Sequence, residues 1–258
     1  MNIKTLCLIT LLSSQLGACT SGNSPTLGVS TPESPSALLA DLTGVWRGGS
    51  SGTYYLRQSG ETVLWYGESS AESPAWAQVA IGKRDSQNQI QMDWYDVPKG
   101  NSANRGNLTA SVLPQAKLAE LSHTGSLNES DWEMLSPAPA YPLVMQDNPM
   151  PMLPPTSNFS GVWKDLMGAR FYLSQHGQEL VGYAESAPNQ PEWSAILYGK
   201  VSGSNLRLNW AGLPKSTQAS FSLSSGTQRM NSPNANILML DQSAPGQMIG
   251  MSKWARVN

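Results

Sequence analysis

Cysteine is nearly absent from this 258-residue chain: Cys7 and Cys19, both near its start, are its two cysteines. The body of the protein therefore has no internal disulfide, no thiolate metal cluster and no thiol nucleophile to draw on, and its stability must come from packing. Histidine is equally scarce, with His123 and His176 far apart and each alone among residues that suggest no metal-ligand spacing. The serines lie in turn-like sequence without a Gly-x-Ser-x-Gly elbow. Only 13% of residues are charged, and 16 basic against 18 acidic residues leave no field to attract nucleic acid and no basic cluster to reinforce membrane attachment. Apolar residues never recur at helical spacing over a useful length. This inventory argues against an enzyme, and neither a metal nor a cofactor is expected. What is plentiful is amphipathic aromatic surface, with nine Trp and eight Tyr against three Phe.

The first residues carry an address. Lys4 is followed by an apolar stretch from Leu6 to Leu12, too short to span a bilayer, and then by Leu16-Gly17-Ala18-Cys19. This resembles the lipobox of bacterial lipoproteins, which implies cleavage after residue 18, lipid on Cys19 and anchorage of the mature chain to a membrane of the cell envelope. Thr20 stands where an aspartate would imply retention at the inner membrane, so the resemblance points to the outer one. Residues 1–18 then form the signal peptide, and 19–40, rich in Ser, Thr, Pro and Gly, a lipidated flexible tether.

The remainder is a duplication. Asp-Leu-Thr-Gly-Val-Trp-Arg at 41–47 returns as Asn-Phe-Ser-Gly-Val-Trp-Lys at 158–164. At the same offset of 117, Tyr55, Leu56, Gln58 and Gly60 match Tyr172, Leu173, Gln175 and Gly177. Tyr66, Glu68, Trp76 and Lys83 likewise match Tyr183, Glu185, Trp193 and Lys200. There are 14 identities in the 43 aligned positions from Asp41 to Lys83, where unrelated sequence would share about three. One residue is then dropped, and Trp94 and Pro98-Lys99 meet Trp210 and Pro214-Lys215. Repeats of this length are whole domains, here 41–136 and 158–258, joined by a proline-rich linker over 137–157. Tyr141, Leu143, Val144, Met145, Met150 and Met152 make that linker apolar enough to dock partly on one domain.

Within each copy the period is two, broken by Ser-Gly, Ser-Gln-Asn and Pro-Lys-Gly turn sequences. Strands are expected near 44–47, 53–58, 62–68, 76–83, 89–95, 106–112, 117–122 and 131–135. In the second copy they are expected near 161–164, 170–175, 179–185, 193–200, 205–210, 218–224, 235–241 and 251–257. The fold class is all-β. Eight sequential antiparallel strands close most readily into an up-and-down barrel, giving two in tandem, with β-sandwiches as the alternative. Gly-Val-Trp opening the first strand, Tyr-x-Glu-Ser ending the third, Gly-Lys ending the fourth and Trp in the fifth resemble the layout of avidin-like and lipocalin-like barrels. That likeness implies a calycin-type cup with Gly-x-Trp plugging one end; it does not imply a shared ligand.

Candidate binding residues are those at strand ends or with amphipathic rings: Tyr55, Gln58, Trp65, Tyr66, Glu68 and Trp76, and in the second copy Tyr172, Gln175, Tyr183, Glu185 and Trp193. A carboxylate at a barrel mouth suits a polar ligand head, supported by the neighbouring tyrosine. The same glutamates equally suit the capping of loop amides or pairing with Lys83 and Lys200, and the glutamines suit a bond to a neighbouring strand. Trp46/Trp163, Trp94/Trp210 and Trp132/Trp254 read as core, and Lys99 and Lys215 as solvated turn residues. Trp65, Arg57 and Tyr95 face Gly182, Ser174 and Ala211 in the alignment, an asymmetry that would place any distinct ligand surface in the first copy. The expected function is an outer-membrane lipoprotein whose two barrels bind a small or hydrophobic ligand without catalysis. The alternative is a structural, protein-interaction or carbohydrate-binding envelope lipoprotein with side-chain-filled barrels. Its partners would be the membrane, through the lipid on Cys19, and a small molecule or an envelope protein.

Overall fold

The computed structural model describes residues 41–127, 129–144, 150–222, 224–243 and 249–257. The expected signal peptide and tether, with Cys19, lie outside these residues, as does Met145. In the first copy β1 (Gly44–Gly48), β2 (Thr53–Ser59), β3 (Thr62–Glu68), β4 (Ala77–Arg84), β5 (Gln89–Asp96), β6 (Arg105–Leu113), β7 (Lys117–His123) and β8 (Asp131–Pro137) follow one another antiparallel. β8 returns to pair with β1, so the sheet closes into a barrel and has no free edge. The second copy repeats this with β9 (Gly161–Asp165), β10 (Arg170–His176), β11 (Glu179–Glu185), β12 (Ser194–Ser202), β13 (Asn205–Gly212), β14 (Ser225–Asn234), β15 (Ile237–Ser243) and β16 (Lys253–Arg256), closed by β16 on β9. Both copies are eight-stranded up-and-down barrels, consistent with a calycin-like fold. Among the described residues no helix is long and apolar enough to cross a membrane.

One strand is displaced from its expected place. The sixth strand of the second copy is expected over 218–224 but occupies Ser225–Asn234, and Ala219–Ser222 forms a single helical turn, α1. The loop between the fifth and sixth strands is thus twelve residues here (213–224) and eight in the first copy (97–104). The apolar Phe221 that suggested a strand instead packs from the loop onto Trp193 and Trp210, with ring centroids 5.5 and 5.3 Å away.

Alternation sends one side of each strand inward. Trp46, Tyr54, Leu56, Val63, Trp65, Ile90, Met92, Trp94, Leu108 and Trp132 fill the first barrel, and Trp163, Phe171, Leu173, Leu180, Leu197, Leu208, Trp210 and Trp254 the second. Trp46 and Trp163 plug one end, each donating its indole N–H at 2.9 Å to the backbone oxygen four residues earlier, of Leu42 and Phe159. The other side of β3, β4, β11 and β12 is buried as well, because it faces the other barrel. The linker spans both: Leu143 N–H bonds the Ser59 hydroxyl of the first barrel at 3.0 Å, and Val144 and Leu153 N–H bond Ser225 and Ser202 of the second at 2.8 Å.

The repeated Gly-Lys at the end of the fourth strand has a packing origin. A Cβ on Gly199 would lie 1.8 Å from the Arg207 carbonyl oxygen, and one on Gly82 2.0 Å from that of Gln91. Gly177, in the β10–β11 turn, has φ +62° and open space around it. Gly199→Ala should cost about 3 kcal/mol through backbone displacement, and Gly177→Ala about 1 kcal/mol through left-handed strain alone. Urea midpoints of the two variants test this order.

Candidate functional site

The most concentrated chemistry lies between the barrels. Along β3, Val63, Trp65 and Gly67 point into the barrel, so Leu64, Tyr66 and Glu68 point out of it; on β11, Val181, Tyr183 and Glu185 do the same. Tyr66 and Tyr183 stack face to face, centroids 3.6 Å apart and planes 4° from parallel. Tyr55 and Tyr172 extend the stack on either side at 6.2 and 6.1 Å. The hydroxyls of Tyr66 and Tyr183 donate to the carboxylates of Glu68 and Glu185 at 2.6 and 2.9 Å, and Tyr172 adds a second donor to Glu185 at 3.2 Å.

Two lysines complete a ring of charge. Lys99 Nζ lies 3.0 Å from the Glu68 carboxylate and 2.9 Å from that of Glu185. Lys215 Nζ lies 2.6 Å from Glu68 and 3.5 Å from Glu185. These side chains are 0–3% exposed. Both ammonium groups also sit over the Tyr66 and Tyr183 rings, at 5.2–5.9 Å. Burial holds the Lys215 ammonium below its usual pKa against the pull of Glu68 and Glu185. Tyr66 and Tyr183 are pushed well up, first by burial and then by the carboxylates beside them.

Three expectations change here. Lys99 and Lys215 are buried, because the short turn after the fifth strand folds back over the interface; Lys99 N–H bonds the Val97 oxygen at 2.8 Å. Glu68 and Glu185 pair with these lysines and not with Lys83 and Lys200; the side chain of Lys200 meets Glu179. Both glutamates lie at the mouth end of the barrel but on its outer wall, since strand parity turns them away from the cup. Two carboxylates and two ammonium groups, ringed by tyrosine hydroxyls, thus form a buried cluster that joins the two copies.

The glutamines are anchors of the plugged end. The Oε1 atoms of Gln58 and Gln175 accept from Leu42 N–H at 3.2 Å and Phe159 N–H at 2.8 Å, and their amide groups donate to Gly60 and Gly177 oxygens at 2.9 Å. Trp65 is inside the first barrel, 5.1 Å from both Tyr54 and Trp132, and Trp76 covers Tyr54 at 5.7 Å. Tyr54 Oη, Trp65 Nε1 and Trp132 Nε1 are buried there without a hydrogen bond of good geometry among the described residues.

Trp193 has a different setting. At the mouth of the second barrel it forms, with Phe221, the aromatic side of an open cleft of about 620 Å³ that Met167, Gln190, Glu192 and Met251 also line. Next to it Leu166 and Met167, at the tip of the β9–β10 turn, are 78% and 79% exposed. A carboxylate holds that turn in each copy, from a different position. Asp165 accepts from Met167 and Ala169 N–H at 2.9 Å. The aligned Gly48 of the first copy leaves room for Glu129, which accepts from Ser50 and Gly52 N–H at 2.8 and 3.2 Å.

Sequence reading left two participants unassigned to any contact between copies. Arg57 is 1% exposed and reaches into the second copy, its Nη1 donating to Gly212, Ser222 and Ser224 oxygens at 3.0, 3.2 and 2.6 Å. Burial lowers its pKa to about 10. Tyr95 packs on His176 at 5.0 Å, so His176, at the end of β10, is a contact between the copies. The usable hint was the unbroken apolar character of Val63-Leu-Trp-Tyr and Ala195-Ile-Leu-Tyr, which marks strands buried on both faces. Among the described residues no group of three His, Cys, Asp or Glu is placed to hold a metal ion. Comparison with protein-family models, with curated proteins and with solved structures finds no match to the chain.

Two outcomes follow for the ring of charge. Glu68→Gln leaves an ammonium under-paired and should cost about 3 kcal/mol or more in urea unfolding, whereas replacing all four groups (E68L/K99M/E185L/K215M) should leave stability near or above the wild type. Tyr54, Tyr55, Tyr66, Tyr172, Tyr183 and Tyr198 all have raised pKa values, each first through burial. Their stabilising contribution is whole below the ordinary pKa of 10.0 and is lost as pH rises beyond it, since the unfolded chain then releases protons that the folded one keeps. Lys215, lowered from 10.5, acts in the opposite sense and is outnumbered. Tyrosinate absorbance and loss of circular dichroism should therefore rise in one cooperative step above pH 10.

Proposed function

We propose that this protein is a non-catalytic lipoprotein of the bacterial envelope, lipidated on Cys19 and held at the outer membrane, whose fused double barrel binds a partner protein at the mouth of the second barrel. The observation that carries this reading is that Trp, Leu and Met side chains, with Tyr54 in the first cup and Phe171 in the second, pack together inside the barrels, while the second mouth presents an open cleft. A carrier needs interior volume, and the inward side chains packed on one another in these barrels favour a contact at the rim instead. The rim has the makings of a contact surface: the partly exposed Trp193, the protruding Leu166 and Met167, and Met251, whose flexible thioether adapts to apolar partners. The locked interface behind it keeps the rim on a rigid base, which limits the entropy lost on binding.

A second reading, a small ligand in the first barrel, is favoured by the buried Trp65 Nε1, which has no hydrogen-bond partner among the described residues, beside Tyr54 and Trp132, since a buried donor calls for an acceptor. Native mass spectrometry distinguishes the two. The Cys19→Ser chain, which should lack the acyl mass of the wild type, is incubated with an envelope extract of its host. A protein-sized adduct that Trp193→Ala removes is the expected result. A small adduct that Tyr54→Phe removes would favour the carrier, and a chain that takes up nothing would sink both readings.

A further inference from the structure

The face between the barrels is almost self-complementary. Tyr66 meets Tyr183, and Glu68 and Lys99 meet Glu185 and Lys215, each the aligned counterpart of the other. Such a face is of the kind that two identical domains use across a twofold axis. On its shared elements alone, a first barrel would pair as well with the first barrel of another molecule as with the second barrel of its own. In a chain carrying two such faces, indiscriminate pairing would string molecules together.

The flanks of the face are where the copies differ. On β2 the first copy has Arg57 and the second has Ser174; on the fifth strand the first has Tyr95 and the second Ala211. Both positions lie on the outer side of their strands. β2 of one copy crosses the fifth strand of the other. Arg57 therefore lies against the end of β13, where Ala211 is small and the Gly212 oxygen accepts its Nη1 at 3.0 Å. At the reciprocal crossing Tyr95 packs on the His176 ring at 5.0 Å, and His176 in turn bonds the Ser174 hydroxyl at 3.0 Å. At each flank a large residue of the first copy fills the space beside a small residue of the second. Sixth-strand neighbours follow the same rule, with Arg105 in the first copy and Ser225 in the second.

We infer that Arg57 and Tyr95, set against Ala211 and Ser174, restrict the first barrel to a second barrel as its partner. In a pair of two first barrels, each Arg57 would face Tyr95 with Arg105 beside it: two large groups in one space, and a buried guanidinium near a like charge. In a pair of two second barrels, Ser174 would face Ala211 on both flanks and leave both unfilled. Only the mixed pair fills each flank once. After duplication, these four positions restrict a self-pairing face to unlike copies, and the linker, bonded to Ser59 of the first barrel and to Ser225 and Ser202 of the second, favours the copy on the same chain.

The test is a cycle on the intact chain. Ala211→Tyr places on the second barrel the residue that the first barrel carries, so it should crowd Arg57, lower the urea midpoint and enlarge the hydrodynamic radius as the barrels part. Adding Arg57→Ser, the second copy's own residue, should recover at least half of the lost midpoint, although Arg57→Ser alone is destabilising. If Ala211→Tyr does not fold, recovery of a folded chain by the double variant is the supporting result. An Ala211→Tyr chain as stable as the wild type, or a double variant no better than Ala211→Tyr, would overturn the assignment. A role for Arg57 limited to holding the second copy's loop predicts additive losses and no rescue.

Discussion

Burial of β3, β4, β11 and β12 on both faces is the constraint on which the rest of this structure depends. A barrel wall normally has one dry side and one wet side. Here the wet side of each barrel is dry over the part that meets its twin, so those strands carry apolar or aromatic residues at successive positions. At the mouth end, where the turn lysines and strand-end glutamates meet, polar groups are also taken out of water. They are tolerated because two carboxylates, two ammonium groups and three tyrosine hydroxyls satisfy one another. Such a ring adds little net stability over an apolar filling, but it punishes misregister, since any slide of one barrel on the other strands a charge.

Duplication supplied the symmetry of that contact, and divergence then broke it where the symmetry was a liability. The copies keep the centre and differ at the flanks. They also differ where one role has moved in sequence. The turn between the first two strands is held by Glu129 in one copy and by Asp165 in the other, so alignment alone pairs Asp165 with a glycine and hides the equivalence. Gly48 has its reason in space and not in the turn, for a side chain there would collide with Glu129.

The unequal loops between the fifth and sixth strands have functional weight on the proposed reading. The longer one in the second copy brings Phe221 beside Trp193 at the mouth, and its carbonyl oxygens receive Arg57 from the first copy. One insertion thus serves both the barrel contact and the rim that would meet a partner. At the mouth of the first copy Trp76, the counterpart of Trp193, lies over Tyr54 and covers the aromatic interior.

The repeat, the all-β class and the number of strands were legible in the sequence, because identities at a fixed offset and period-two alternation are local properties of the chain; a plug of Gly-x-Trp came only with the resemblance to calycin-type barrels. The sixth strand of the second copy was misplaced because Phe221 is apolar for a tertiary reason, its contact with two tryptophans. Glu68, Glu185, Lys99 and Lys215 were recognisable as recurrent but not as partners. Sequence parity says which residues share a face of a strand; it does not say whether that face meets water, a ligand or another barrel. That choice was made by the packing of one closed barrel on another, which brings residues 86 and 147 positions apart into one charge ring, and only the tertiary structure shows it.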